Sequence, residues 1–444
     1  MAEFTPQQRA VINSTAKHTL VNAINKTGKT QILIRLYLNR QEKPGEFKAI
    51  LITPNGLATQ RILEQLQRIT KQDWSQQLVG TLAEIGYKLI QTYYQDLTYS
   101  KIPKLVPDTA VIAERHEAKA VAVALHPDQT SQAFSEQWNQ EFVSKLRRKD
   151  LVTPRSAVIE ITNLFSKLSH SSLANVRLLL ADDVHDYTFE EMMGIAIIQE
   201  RMEKSFISGN TNIAINDRFH DIDIENWTTL IGRDGFKTLG LNSCFTMGAN
   251  QGTFIYQLSA FNSKKLFDAS PTYGVEATSQ VLLEVLVPTT DYTIDVIKEM
   301  ELQLQLGIRN RTMGIIMRNV DEARSMARML NCPVCIMWDK THLWHKTEVP
   351  TKGLLVTTPY DAPYLNLDYV TLPNCMKGYW PYTEERRTEN CRRLFLRSVS
   401  SAKLGAIFLI PDPSNGLLVS PFVSEGSNPK LVTKVAQFIP TVRT

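Results

Sequence analysis

The residues best suited to chemistry in this chain lie in two short stretches, "NAINKTGKT" at 22–30 and "RLLLADDVHDYT" at 177–188. The first ends in Gly28, Lys29 and Thr30. In a phosphate-binding loop, backbone N–H groups converge on the β-phosphate while a lysine and a hydroxyl reach the outer phosphates and Mg²⁺, and Lys29 and Thr30 are side chains of those kinds. Ile24 and Lys26 stand where glycines would let the backbone turn and approach a ligand closely. The spacing therefore also suits an ordinary strand-turn-helix in which Gly28 caps a turn. The second stretch sets Asp182 and Asp183 directly after an apolar run, where a Mg²⁺-organising acid and a water-activating acid would sit. A solvated acidic turn at a strand end has the same sequence.

Two such stretches can meet only if strands carry them to one edge of a sheet. Short apolar runs recur along the chain: "KAILIT" at 48–53, "VRLLLA" at 176–181, "KSFISG" at 204–209, "MGIIMR" at 313–318, "GLLVTT" at 353–358 and "GAIFLI" at 405–410. Runs of this length and composition suit buried parallel strands. Helical patterns such as "LATQRILEQLQRIT" and "VDEARSMARML" lie between several of them, the signature of an α/β chain with crossover helices. Residues 84–172 break the alternation and read as mostly helical, with "SEQWNQEFVSKLRRKDLVTPRSAVIEITNLF" as the clearest case.

Composition bounds the function. The 444 residues are 43% hydrophobic, enough for two or three domains. Lys+Arg 49 against Asp+Glu 45 leaves +4, so a nucleic-acid surface would have to be a local groove. No apolar run approaches the roughly 20 residues that span a bilayer, and "MAEFTPQQRA" lacks a basic-plus-apolar leader. Five cysteines do not make a disulfide framework. These features predict a cytoplasmic protein with no membrane partner.

Ordered partial motifs over most of the chain resemble those of the UvrD/Rep-like superfamily 1 helicases. "FTPQQRAVI" at 4–12 is similar to the adenine-reading motif, with Gln8 on the glutamine that contacts the base. "NAINKTGKT" falls on the phosphate loop, "ILITPNGLATQRI" on the strand and helix that touch single-stranded DNA, and "VGTLAEIGYKLI" on the Thr-Phe-His segment. "LLLADDVHDYT" matches Asp-Glu-x-Gln-Asp, and "FISGNTNIAIN" matches Gly-Asp-x-x-Gln-x-Ile-Tyr. In the second half "LGLNSCF" lies on Asn-Tyr-Arg-Ser and "GIIMRNVDEARSMARML" on the opening of the second lobe. "TTPYDAPYLNLDYVTLP" lies on Thr-x-His-x-x-Lys-Gly-Leu-Glu-Phe, and "RRLFLRSVSSAKLGAIFLI" on Arg-Arg-Leu-Phe-Tyr-Val-Ala-x-Thr-Arg-Ala-Lys.

The resemblance implies an α/β fold of two RecA-like P-loop NTPase lobes with parallel sheets. It divides the chain into 1–83 and 173–245 as the first lobe, 84–172 as a helical insertion in it, and 246–444 as the second lobe. Only about forty residues separate Arg318 from Thr358, so the large accessory domain of the second lobe is expected to be missing. The resemblance makes Gln8, Gly28, Lys29 and Thr30 the nucleotide-binding residues, Thr30 and Asp182 the Mg²⁺ ligands, and Asp182 and Asp183 a degenerate catalytic pair.

The departures fall on catalytic side chains. Ala83 replaces a histidine and Asp183 a glutamate. Asn210 replaces an acid, and Ile213 stands at the glutamine that senses the γ-phosphate. Asn366 replaces a glutamate, and Cys244 and Ser401 occupy the places of two arginines. Arginine fingers are worth about 10³ to 10⁵ in rate, so little turnover is expected, and because Ile24 and Lys26 hinder the loop, ATP and Mg²⁺ are expected to bind weakly or not at all. The expected function is a non-catalytic or weakly catalytic subunit of a DNA-processing assembly, binding single-stranded nucleic acid and a protein partner. The alternative is an active single-stranded DNA translocase with divergent motifs.

Three further features carry expectations. Cys332 and Cys335 followed by His342 and His345 can be drawn as a zinc site, but the six-residue spacer is short for a finger and "CPVCIMW" reads as a strand, so zinc is not expected. "SKLRRKD" at 144–150 and "EERRTENCRR" at 384–393 are either solvated helix faces or a phosphate-contacting rim. Trp338, Trp344, Tyr379 and Trp380 are either base-stacking platforms or core residues.

Overall fold

The computed structural model describes residues 4–24, 26–41, 48–126, 128–129, 131–166, 175–210, 213, 235–244, 249–262, 272–273, 281–287, 293–298, 311–336, 349–380, 385–426 and 433–435. In chain order the first lobe is built on β1 (His18–Ala23), β2 (Ala49–Ile52) and β3 (Val79–Gly80). The chain then leaves for a largely helical excursion holding the short parallel pair β4 (Lys104–Leu105) and β5 (Leu151–Val152). It returns as β6 (Leu178–Ala181), β7 (Lys204–Gly209) and β8 (Phe236–Leu241). Neighbours are parallel in the order β3-β2-β6-β7-β1-β8. β2 and β6 are buried along their whole length, as expected of strands covered by helices on both faces.

A short pair, β9 (Ser243–Cys244) with β10 (Thr272–Tyr273), precedes the second sheet. That sheet is formed by β11 (Val281–Val287), β12 (Thr312–Ile316), β13 (Val334–Cys335), β14 (Gly353–Thr357), β15 (Tyr369–Leu372), β16 (Gly405–Pro411) and β17 (Thr433–Val435). Its order is β13-β14-β12-β15-β16-β11-β17, again parallel. Two parallel sheets with crossover helices are what the sequence pattern predicts and correspond to the two RecA-like lobes that the resemblance implies. Between β12 and β14 the described chain holds the helix Val320–Leu330 and β13.

The stretch 135–165 is mostly helical, as the pattern predicts, with one interruption. It divides into the helix Gln132–Arg148, β5 and the helix Pro154–Ser166. Asp150 turns the chain at φ 50, and its carboxylate accepts from the Ser100 backbone and hydroxyl. Pro154 then opens the next helix at its first position, where a missing N–H costs nothing. Strands β8 and β11 lie outside the runs singled out by composition. β8 carries Lys237 and Thr238 on a half-exposed edge, and β11 has Glu284 at its centre, buried.

The excursion is rooted where the helix Leu82–Tyr93 lies against Pro154–Ser166. A Cβ on Gly86 would stand 2.4 Å from the Ala157 carbonyl oxygen, so glycine lets the two backbones touch. Apolar burial also joins the lobes. Leu57, Ala58 and Ile213, from the first, are buried in one cluster with Phe254, Leu258, Ile316, Tyr364, Leu365 and Phe395 of the second.

Candidate functional site

The loop after β1 is fastened from outside. Thr5 caps the helix Pro6–Ile12 in a reciprocal box with Gln8, which leaves the Gln8 amide free to donate to the Thr27 carbonyl at 2.9 Å. Thr27 in turn donates its hydroxyl to the Ile24 carbonyl at 2.9 Å. The backbone enters the left-handed region twice, at Lys26 (φ 61) and Gly28 (φ 81). A Cβ on Gly28 would sit 2.6 Å from Gln8 Nε2, so glycine is favoured there by conformation and spares the Gln8 side chain a shift. Lys26 adopts the same region with a side chain, at about 1–2 kcal/mol. Gln8, expected at the adenine, spends its carbonyl oxygen on the Thr5 N–H and one amide N–H on the loop.

The helix Lys29–Gln41 starts directly on this loop, so its unpaired N–H groups and positive dipole end face the loop's concave side. Opposite stands Asp182, just past β6. Its carboxylate accepts from the Thr30 hydroxyl and from the Ser208 hydroxyl on β7, each at 2.6 Å. Burial first, and then the Asp183 charge, push Asp182 up to about 6 against those hydroxyls and Lys29. Asp183 takes φ 46, and its Oδ1 lies 3.5 Å from Lys29 Nζ with no hydrogen bond of its own among the described residues. A carboxylate raised in pKa beside a hydroxyl, an ammonium and a helix N-terminus is a donor set that fits a Mg²⁺-bound polyphosphate. The switch-point rule for parallel sheets puts such a site at the carboxyl ends of β1 and β6.

The far wall of the cleft is a different matter. Asp186, wholly buried, receives both terminal nitrogens of Arg397 at 2.5 and 2.7 Å and the Tyr364 hydroxyl at 2.5 Å. Arg397 lies on the helix Glu385–Ser401 and donates also to the Pro359 and Tyr360 carbonyls. Burial opposes the Asp186 charge, but the guanidinium prevails and holds this carboxyl down at about 2. His185 accepts the Asn210 N–H on Nδ1 at 3.3 Å, and burial lowers its pKa, so the ring is neutral.

Of the positions expected to have lost catalytic groups, Ala83, Ile213 and Ser401 are buried. Ile213 and Ala83 are buried in apolar surroundings. Ser401 is buried, donating its hydroxyl to the Arg397 carbonyl at 2.6 Å, and its own carbonyl accepts from Lys26 Nζ at 3.3 Å. Cys244 pairs with Tyr273 in the short strand pair, and Asn366 is exposed. Arg397, Tyr364 and Lys26 were not anticipated as cleft residues. Arg397 falls where the last helicase motif has a valine, and an off-pattern charge inside an apolar helical run is the signal that points to a buried partner.

The remaining candidates resolve unevenly. In 144–150, Lys145, Arg147 and Lys149 pair with Glu117, Glu160 and Glu114. In 384–393, Arg392 pairs with Glu425 and Arg393 with Glu389. These cations are already neutralised. Trp380 is fully buried, and Tyr379 donates to Glu322 beneath Arg318, so both belong to packing. Trp338, Trp344, His342 and His345 lie outside the described residues, and the described residues hold no metal-ligating cluster. No described helix is long and apolar enough to cross a membrane.

No curated protein sequence matches the chain. Residues 4–231, half of the chain, match the family model described as UvrD/REP helicase N-terminal domain. That match spans the loop after β1, the acidic pair after β6 and the whole first sheet up to β8, so the chain belongs to the UvrD/REP helicase N-terminal domain family.

Proposed function

We propose that this protein is a helicase-fold scaffold that holds a nucleotide without using it as fuel, and that it binds single-stranded nucleic acid and a protein partner in a DNA-processing assembly. Lys29 and the loop N–H groups would hold the phosphates, and Thr30 and Asp182 the Mg²⁺, whose role when bound is to neutralise phosphate charge. The division into 1–83 with 173–245, 84–172 and 246–444 is part of the same reading.

The observation that carries it is the filled far wall. A helicase of this family needs mobile lobes and cations from the second lobe to stabilise the transferring phosphoryl group. Here Ser401 is buried with its hydroxyl turned onto its own helix, Ile213 is part of an apolar cluster spanning both lobes, and Asp186–Arg397 ties the lobes together. The Thr30–Asp182 and Lys29–Asp183 contacts favour a second reading, an active translocase that uses divergent groups. Steady-state ATP turnover by the full chain with saturating single-stranded DNA separates the two. The scaffold reading expects turnover indistinguishable from a Lys29→Ala control, whereas several turnovers per second with unwinding of a tailed duplex would establish a motor.

A further inference from the structure

We propose that Lys26, supported by Arg61 and Lys403, reads the outer phosphate of a nucleoside triphosphate in this cleft, in place of the two arginines missing at 244 and 401. The proposal rests on the nucleotide reading above and adds the residues that discriminate a triphosphate from a diphosphate.

Three observations carry it. Lys26 projects from the phosphate loop across the cleft to the Ser401 carbonyl, 3.3 Å away, so its ammonium stands beside the residue that replaces a finger arginine. It does so from a left-handed backbone position (φ 61) that a glycine would occupy without strain. Backbone strain persists where the surrounding structure enforces it, and it gathers at ligand clamps. Arg61, on the helix Gly56–Thr70, and Lys403, two residues past Ser401, are both half-buried and close enough to repel Lys26.

Neither the Arg61 guanidinium nor the Lys403 ammonium makes a hydrogen bond or an ion pair among the described residues. Burial first, and then the charges of Arg61, Lys403 and Lys29, push Lys26 down to about 7. The charges acting on Lys26 itself are thus all positive, while Asp182, Asp183 and Glu64 act on Arg61 and Asp368 acts on Lys403. An ammonium crowded by like charges in a partly buried place is unfavourable, and the terminal phosphate of a triphosphate on the neighbouring loop would supply Lys26 with a negative partner. A diphosphate, ending one phosphate earlier, leaves Lys26 without one.

The test is calorimetric binding of Mg²⁺–ATPγS and Mg²⁺–ADP to the full chain near neutral pH. The wild type should bind ATPγS about ten-fold or more tighter than ADP, the worth of a charge-assisted hydrogen bond. Lys26→Ala, which keeps the left-handed strain and removes the ammonium, should abolish that preference, weakening ATPγS about ten-fold more than ADP. Lys26→Arg should retain it, and Lys403→Ala, on the opposite wall, should reduce it without touching the loop. Lys29→Ala should weaken both ligands. Lys26→Gly gives the opposite-sign check: tighter ATPγS binding would mean that Lys26 only obstructs the loop, and would overturn the proposal. Equal affinity for both ligands in the wild type would overturn this assignment and leave nucleotide binding standing. Failure to bind either ligand would overturn both.

Discussion

Breaking the Asp186–Arg397 pair should loosen the two lobes more than any other single side-chain change. Both groups are fully buried, bonded through both oxygens and both terminal nitrogens, with Tyr364 as a third donor. The Asp186 carboxyl falls from an ordinary 3.8 to about 2 even though burial opposes its charge. At about 1.4 kcal/mol per pKa unit, the charged form is favoured by roughly 2–3 kcal/mol net of that burial. Removing one partner strands the other, so Arg397→Leu or Asp186→Asn should each cost about 3–5 kcal/mol. That corresponds to a fall of roughly 6 °C or more in melting temperature. The double variant should cost much less than the sum, because no charge is left buried alone.

The sign with pH follows from the depressed carboxyl. Its contribution is complete above the unfolded value of 3.8 and is lost as pH falls through the folded value of about 2. The wild type should therefore lose this link only in strong acid, and Asp186→Asn should show no such loss. The assay is thermal denaturation of the single and double variants, with hydrogen exchange at 184–186 and 359–364 to locate the effect. Single variants melting within about one degree of the wild type, or a double variant as costly as the sum, would refute the reasoning.

Two further outcomes follow. Ile213→Gln restores the side chain type that the helicase motif carries, but it places an amide in the apolar cluster between the lobes. It should cost about 1–3 kcal/mol and leave ATP turnover unchanged, as a melting curve and a turnover assay would report. Gly28→Ala puts a Cβ 2.6 Å from Gln8 Nε2 at φ 81. It should cost about 1–2 kcal/mol, and Gln8→Ala in the same chain should recover the steric part, leaving the backbone strain.

The sheets were largely legible in the sequence because a parallel strand covered on both faces must be an unbroken apolar run. β2, β6, β7 and β14 lie within such runs, and β12 and β16 overrun theirs by one residue each. β8 was not, since an edge strand needs apolar residues on one side only, and β11 was hidden by Glu284. At the site, the meeting of Thr30 with Asp182 follows from residue type and strand order, because parallel strands deliver both to one edge. The Asp186–Arg397 pair does not follow, since it joins residues 211 positions apart through two lobes whose relative placement no local pattern encodes. Lys26 looked like a poor glycine in the sequence, and only its reach to Ser401 gives it a use.

The tie between the lobes also bears on how fast anything enters or leaves the cleft. If parting the walls requires breaking a contact worth about 3 kcal/mol, the parted form is populated roughly once in a hundred molecules. A ligand that must pass through that form associates about a hundred times more slowly than it would with an open cleft, and departs with the same delay. Because both rates slow alike, occupancy at equilibrium is untouched and only the time to reach it lengthens, which stopped-flow mixing of the wild type and Arg397→Leu with a fluorescent nucleotide would show.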